Sequence, residues 1–183
     1  MNDGRRCYLQ TTLASVLSVL GCLFAAWQLC QALWISRVNN LNSFVTVQPC
    51  YNLFDRRIET ELVPCCQTYS IGIIPFAPLA MGFLTGKYRK GQEIPTSARL
   101  SRPALRHPPV MTEAEWKKLT KLETFATENG HTVGELALAW LIAKPCVSTV
   151  IVGVHKPDHV IANAAAASWK LTAEQVTTVD AIS

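Results

Sequence analysis

Charge is scarce in this sequence: only 16% of its 183 residues are charged, and none lies between Arg6 and Arg37. With 49% hydrophobic residues beside so little charge, there is little room for long disorder, and the length suits one globular domain. The net charge of +4 contains no run of Lys and Arg interleaved with aromatics, so no nucleic-acid stripe is expected. A small anion such as a phosphate suits a mildly basic chain better. None of the spacings among the seven cysteines is that of a zinc site or a CxxC redox pair, although Cys65 and Cys66 are adjacent. Reduced thiols in a cytoplasmic protein are the expectation, with no metal.

What is present in excess is an apolar N-terminus. Residues 11–35 (TTLASVLSVLGCLFAAWQLCQALWI) are long enough to cross a bilayer, which takes about 20 largely apolar residues. Arg5 and Arg6 precede the run as in a signal sequence, but no small-x-small cleavage site follows. The alternative is a half-buried helix covering a sheet, because Gln28 and Gln31 recur at helical spacing between Trp27 and Trp34. The chain thus divides into an atypical segment, residues 1–24, and a second part, residues 25–183.

That second part alternates short apolar runs with amphipathic stretches, the pattern of parallel strands joined by crossover helices. Residues 44–48 (FVTVQ) read as a strand buried on both faces, and 57–69 as the helix after it. Residues 71–76 (IGIIPF) read as the second strand, followed by a connection from 80 to 110 too long for a plain turn. Thr112 with Glu115, Thr132 with Glu135 and Thr172 with Gln175 are capping boxes that open three helices. Gly130 and Pro145 end the first two of these. Residues 148–152 (STVIV) read as the third strand, and Pro157 suits the first turn of the helix that follows it.

Few residues offer chemistry on their own. The turn after the third strand, VGVHKPDH, joins a strand end at Gly153 to a helix start, where free N–H groups and the helix dipole bind phosphate, with His155 and Lys156 beside it. In most proteins such a turn is simply a tight strand-to-helix connection. Lys87 and Arg99 are further cations in the long loop, for which solvated surface charge is the plain reading. Gln48 ends a buried strand and needs a partner there, a cofactor amide or a loop backbone group. Phe76 suits either a stacking ring or a core position. Tyr51 and Asp55 form an acid and base pair on paper, but their place in a turn favours structural hydrogen bonding. His107 and His131 are assigned no role.

Taken together, QPCYNLFDRRIE, IPFAPLAMGFLTGKY and VIVGVHKPDHVIANAAA resemble three consecutive segments of the aldo-keto reductase family, in particular bacterial reductases related to potassium-channel β subunits. The likeness runs unbroken from about Ala25 to the C-terminus. It implies a TIM (β/α)8 barrel of which this chain carries the C-terminal portion, the last three βα units, with NADPH or NADP bound across the C-terminal face. The helix from Ala25 is then the one after the fifth strand. By the same resemblance Gln48 bonds the nicotinamide carboxamide, Phe76 stacks on the nicotinamide, and Ala77, Pro78, Leu79 and Ala80 run under the pyrophosphate. Lys87 and Arg99 reach the phosphates, Gly153, His155 and Lys156 hold the 2′-phosphate, and His159 and Asn163 flank the adenine. His155 stands where family members often have Ser or Arg, and Ala162 where many have an acid.

The resemblance also implies a tyrosine general acid, a lysine that lowers its pKa, an aspartate and a histidine, all from the first half of the barrel. Before Ala25 only Tyr8 and Asp3 are of the right types, and the family's Ser-Asn pair after the fifth strand is replaced around Gly21 by Cys22 and Leu23. The expectation is therefore a truncated NADPH-dependent oxidoreductase that keeps its cofactor segments, lacks the catalytic half, has no assigned catalytic residue, and in full-length form acts on a carbonyl substrate. The alternatives are a non-catalytic NADP-binding subunit module, and a relic anchored to a membrane by residues 11–35.

Overall fold

A computed structural model describes residues 19–92, 112–154 and 156–183. Three parallel strands, β1 (Val19–Cys22), β2 (Phe44–Gln48) and β3 (Gly72–Ile73), lie side by side in sequence order. Helix α1 (Ala26–Val38) links the first pair and α2 (Leu62–Tyr69) the second. Among the described residues four α-helices follow: α3 (Glu113–Glu128), α4 (Val133–Ala143), α5 (Pro157–Ala166) and α6 (Ala173–Ile182).

The apolar stretch 11–35 is not one helix. Its described part pairs as β1 against β2, turns at Leu23 with φ 58°, and only then enters α1 of 13 residues. No described helix is long and apolar enough to cross a membrane; residues 1–18 lie outside the described residues. α1 turns Leu29 and Ser36 inward and leaves Trp27 and Trp34 64% and 66% exposed, so it is the half-buried helix that the glutamine spacing suggests.

Three expected elements are broken, each beside a proline. The stretch 57–69 divides into a 3-10 turn (Arg57–Glu59) and α2. Pro64 has no N–H to donate to the carbonyl four residues earlier, and its ring would clash with that carbonyl, so it is accommodated only in a helix's first turn. The strand expected at 71–76 keeps two ladder residues and a single bridge at Phe76. Beside it, the expected third strand, 148–152, is reduced to a bridge between Ile73 and Val147. Ile73 N–H donates to Cys146 O at 2.8 Å and Ser148 N–H to Ile73 O at 2.9 Å. The next bond of the ladder would have to come from residue 75, which is proline. Nor is β2 buried on both faces: Val47 is buried, whereas Val45 is 44% exposed and Thr46 and Gln48 are half-buried. Helices α1 and α2 cover one side, where Leu29, Val47, Cys66 and Ile73 form a core cluster.

A larger cluster centres on Trp140 of α4 and Phe83, with Leu119 and Leu122 of α3 and Val179 of α6. Its helices start as the capping pattern predicts: Thr132 and Thr172 accept from the N–H groups of Glu135 and Gln175, whose side chains reach back. Thr112 likewise accepts from Glu115 N–H.

Gly72 shows how tightly β3 meets the 147–148 segment, because a Cβ there would collide with Ser148 Oγ. Gly72→Ala is expected to lose about 1–3 kcal/mol to overpacking, read as a lower urea midpoint. Gly72→Ala combined with Ser148→Ala should recover part of the loss. Equal stability of Gly72→Ala and the parent would show that the contact relaxes freely.

Candidate functional site

All three strands run parallel, so their carboxyl ends gather on one edge of the sheet. Gln48 ends β2 in register with Cys22, and its carbonyl accepts from Leu23 N–H at 3.3 Å. Phe76 extends the β3 edge, bridging Cys50 and donating its N–H to Pro49 O at 3.0 Å. Ile151 N–H donates to Pro75 O at 3.3 Å, which brings the approach to Gly153 to the same edge. Open parallel sheets and barrels place ligands at this edge.

The strip after Phe76 is conformationally unusual. Ala77, Ala80 and Met81 have φ of 54°, 47° and 57°, and Gly82 follows at 99°. For residues with a Cβ the left-handed region costs about 1–2 kcal/mol each, and such strain persists only where surroundings enforce it. One enforcing residue is Asn52, 3% exposed. Its Nδ2 donates to Ala77 O at 3.1 Å, while its Oδ1 accepts the N–H groups of Phe54 and Asp55, each at 2.9 Å. Sequence reading passed over Asn52; the signal was an Asx turn in YNLFD.

Lys87 folds back over this strip. Its Nζ is 5.0 Å from the Tyr88 ring centroid, and a Cβ on Gly82 would come within 3.0 Å of it. Gly82 is thus favoured by its φ, and a Cβ there would push the ammonium aside. The Tyr88 hydroxyl, buried beside it, has no hydrogen-bond partner among the described residues. At the other end of the edge, Lys156 is the N-cap of α5, makes no side-chain cap bond, and is followed by Pro157. Gly153, Lys156 and His159 are exposed and Asn163 is half-buried. Asp158 also sits in that first turn and opposes an anion there. Arg99 and His155 lie outside the described residues, as does His107.

Tyr51 and Asp55 are structural. Tyr51 O–H donates to Glu59 Oε1 at 2.6 Å, and Arg57 clasps Asp55 through two bonds of 2.8 Å. Burial, reinforced by Glu59, pushes the Tyr51 phenol well above the usual tyrosine range, the opposite of what a general acid needs. Burial and Asp55 likewise push the Cys50 thiol up to about 12, so it is no nucleophile. His131 stacks on Trp169 with centroids 4.0 Å apart. No group of three or more His, Cys, Asp or Glu among the described residues could hold a metal. A cleft of about 560 Å³ lies between Tyr88, Lys90 and α3, but no residue assigned to the cofactor lines it.

Tyr51, Arg56 and Glu59 continue into a charged network that ties α6 to the turn after β2. Arg56 donates to both Glu59 oxygens, at 3.0 and 2.8 Å, and lies 3.3 Å from Asp180. Burial draws Glu59 upward, but the bonds from Arg56 and Tyr51 outweigh it and hold the carboxyl below the usual 4.5. A depressed folded value means a contribution present above the unfolded pKa and lost as pH falls through the folded one. Stability should therefore be level above about pH 5 and decline below it, with a shallower decline in Glu59→Gln. Urea midpoints across that range are the measurement; an unchanged acid slope in Glu59→Gln would remove Glu59 from the account.

Residues 21–183 match the family described as the aldo/keto reductase family. Among curated proteins, a probable voltage-gated potassium channel subunit beta of Oryza sativa subsp. japonica is 33% identical over 164 residues, covering 87% of this chain and 50% of its own length. A putative subunit of the same description from Schizosaccharomyces pombe is 34% identical over 168 residues, covering 87% and 48%. L-glyceraldehyde 3-phosphate reductase of Escherichia coli O157:H7 is 35% identical over 121 residues, covering 63% and 34%. The chain spans about half the length of the first two. With the family pattern matched from the end of β1 to the last residue, and its segments gathered on one sheet edge, the chain belongs to the aldo/keto reductase family.

Proposed function

We propose that this chain is the NADP(H)-binding part of a carbonyl-reducing oxidoreductase, and that β1, β2, β3 and the 147–151 segment correspond to strands five to eight of the family's barrel. The observation that carries the reading is the convergence of Gln48, Phe76, the strained strip 77–82 and the Gly153 turn on the carboxyl edge of the sheet. The residues present fit the cofactor: a half-buried amide, a half-buried ring, a left-handed strip with an ammonium folded over it, and a helix N-terminus with no side-chain cap.

Bound there, the cofactor supplies a hydride for a carbonyl carbon. In this assignment Gln48 bonds the carboxamide and fixes which face of the nicotinamide is presented, and Phe76 stacks on the ring and keeps water from it. Ala77, Pro78, Leu79 and Ala80 run under the pyrophosphate, with Lys87 and Arg99 neutralising it. Gly153, His155 and Lys156 hold the 2′-phosphate, and His159 and Asn163 border the adenine. No residue of the chain is assigned the proton transfer. A cytoplasmic location belongs to the same reading.

A second reading, a nucleotide-binding subunit without turnover, is supported by the relatives described as voltage-gated potassium channel subunits beta.

Nucleotide titration at low salt tests the proposal. NADP should bind more tightly than NAD, and Lys156→Ala should erase about tenfold of that preference, the scale of one charge-assisted bond. Equal binding of the two nucleotides, or an unchanged preference in Lys156→Ala, would reduce the Gly153 turn to a strand-to-helix connection.

A further inference from the structure

The thiols of Cys30 in α1 and Cys65 in α2 lie 3.4 Å apart across the interface of the two helices, 35 residues apart in sequence. Neither takes part in the site on the carboxyl edge. Both belong to the inner cluster that packs α1 and α2 against the sheet, which also contains Cys66 and Cys146. From the Cys30 and Cys65 juxtaposition we infer that these residues are a disulfide modification site, closed by thiol–disulfide exchange with a small-molecule disulfide of the oxidised glutathione class.

Geometry selects this pair. A disulfide needs its sulfurs about 2.05 Å apart, so closure asks for a further approach of about 1.4 Å between two facing helices. Cys65 and Cys66 would pair only with strain: adjacent Cα atoms are about 3.8 Å apart, whereas a disulfide usually spans about 4.4–6.8 Å. Access selects the order of events. Cys30 is partly exposed, while Cys65 and Cys66 are buried. Burial, then contact with Cys30, also pushes the Cys65 thiol up to about 11, and burial pushes Cys66 up to about 12, so neither is the first attacker.

The exchange balances. The Cys30 thiolate attacks one sulfur of the oxidant, its S–S bond breaks, and one small thiol leaves with the proton that Cys30 gave up. Cys65 then attacks the Cys30 sulfur of the mixed disulfide and loses its proton, and the second small thiol leaves. The protein loses two hydrogens and two electrons, and the oxidant is reduced to two thiols. The product closes a loop that contains all of β2 and staples α1 to α2.

The test treats the whole chain with oxidised glutathione, quenches with acid and alkylating agent, and maps the peptides by mass spectrometry without reduction. The expected result is a Cys30–Cys65 cross-link with two fewer titratable thiols. It should survive in Cys66→Ser and Cys146→Ser and give way in Cys65→Ser to a lasting glutathione adduct on Cys30. A stable glutathione adduct on Cys30 of the parent, cross-links that omit this pair, or wholly free thiols would each overturn the inference.

Discussion

Trp140→Ala is expected to cost about 3–5 kcal/mol, enough to unfold a domain of ordinary marginal stability. The indole is 0% exposed and serves three sets of contacts at once. Its ring is tilted against that of Tyr51, with centroids 5.2 Å apart. Its Nε1 donates to Asp180 Oδ1 at 2.8 Å, and the cations of Arg56 and Lys144 lie over the ring at 5.4 and 4.5 Å. Truncation therefore opens a large cavity and also removes one N–H bond from the partly buried Asp180, which keeps its Lys144 bonds, a loss of about 0.5–1.5 kcal/mol. Trp140→Phe keeps most of the volume and loses the N–H bond, so it should fall between the two. Urea denaturation followed by tyrosine and tryptophan signals measures both. A loss under about 1 kcal/mol in Trp140→Ala would mean the core collapses into the space, contrary to the packing described.

The second large effect concerns turnover. A polypeptide of these 183 residues, given NADPH and an aromatic aldehyde, should oxidise no cofactor above the blank. Positioned general acid catalysis contributes about 10²–10⁴-fold, and neither Tyr51 nor Tyr88 offers such an acid, while Tyr69 ends α2 ahead of β3, away from the carboxyl edge. Tyr51 is buried, bonded to Glu59 and shifted upward, and the Tyr88 hydroxyl is buried out of reach of a substrate. Tyr51→Phe should accordingly leave the null rate unchanged. Turnover in the parent that disappears in Tyr51→Phe would sink both the structural reading of Tyr51 and the absence of an assigned catalytic residue.

Local signals transferred well from sequence to structure. The Thr132 and Thr172 caps and the Pro157 helix start are decided within four residues, where side chain and backbone meet regardless of tertiary context. The strand at 44–48 was legible for a similar reason, as a β-branched run bounded by polar residues. Elsewhere two rules competed. Residues 11–35 satisfied a length criterion for a membrane span, and hydropathy alone could not say that Val19–Cys22 would pair as a strand. The third strand looked sound in its own residues, but its ladder failed through Pro75 of the neighbouring strand, a conflict visible only once the two are adjacent. For the site, motif resemblance supplied the positions but not what holds them. The Asn52 bond to Ala77 crosses 25 residues and the Cys30 to Cys65 contact 35, and no periodicity links either pair.

The tie between Arg56 and the end of α6 bears on how the chain is made. Arg56 donates to Asp180 O at 2.9 Å across 124 residues. At about 5–20 residues per second, roughly 6–25 s of synthesis separate the two ends of that bond. Throughout the interval Tyr51 and Arg56 have no α6 to close against, and Trp140 joins them for its last 40 residues. The first strands and helices must wait with apolar surface open, and a delay of that length is when chaperone capture or misassociation takes place. Codon or temperature changes that slow translation between residues 56 and 180 should therefore lower soluble yield even where the protein sequence is untouched.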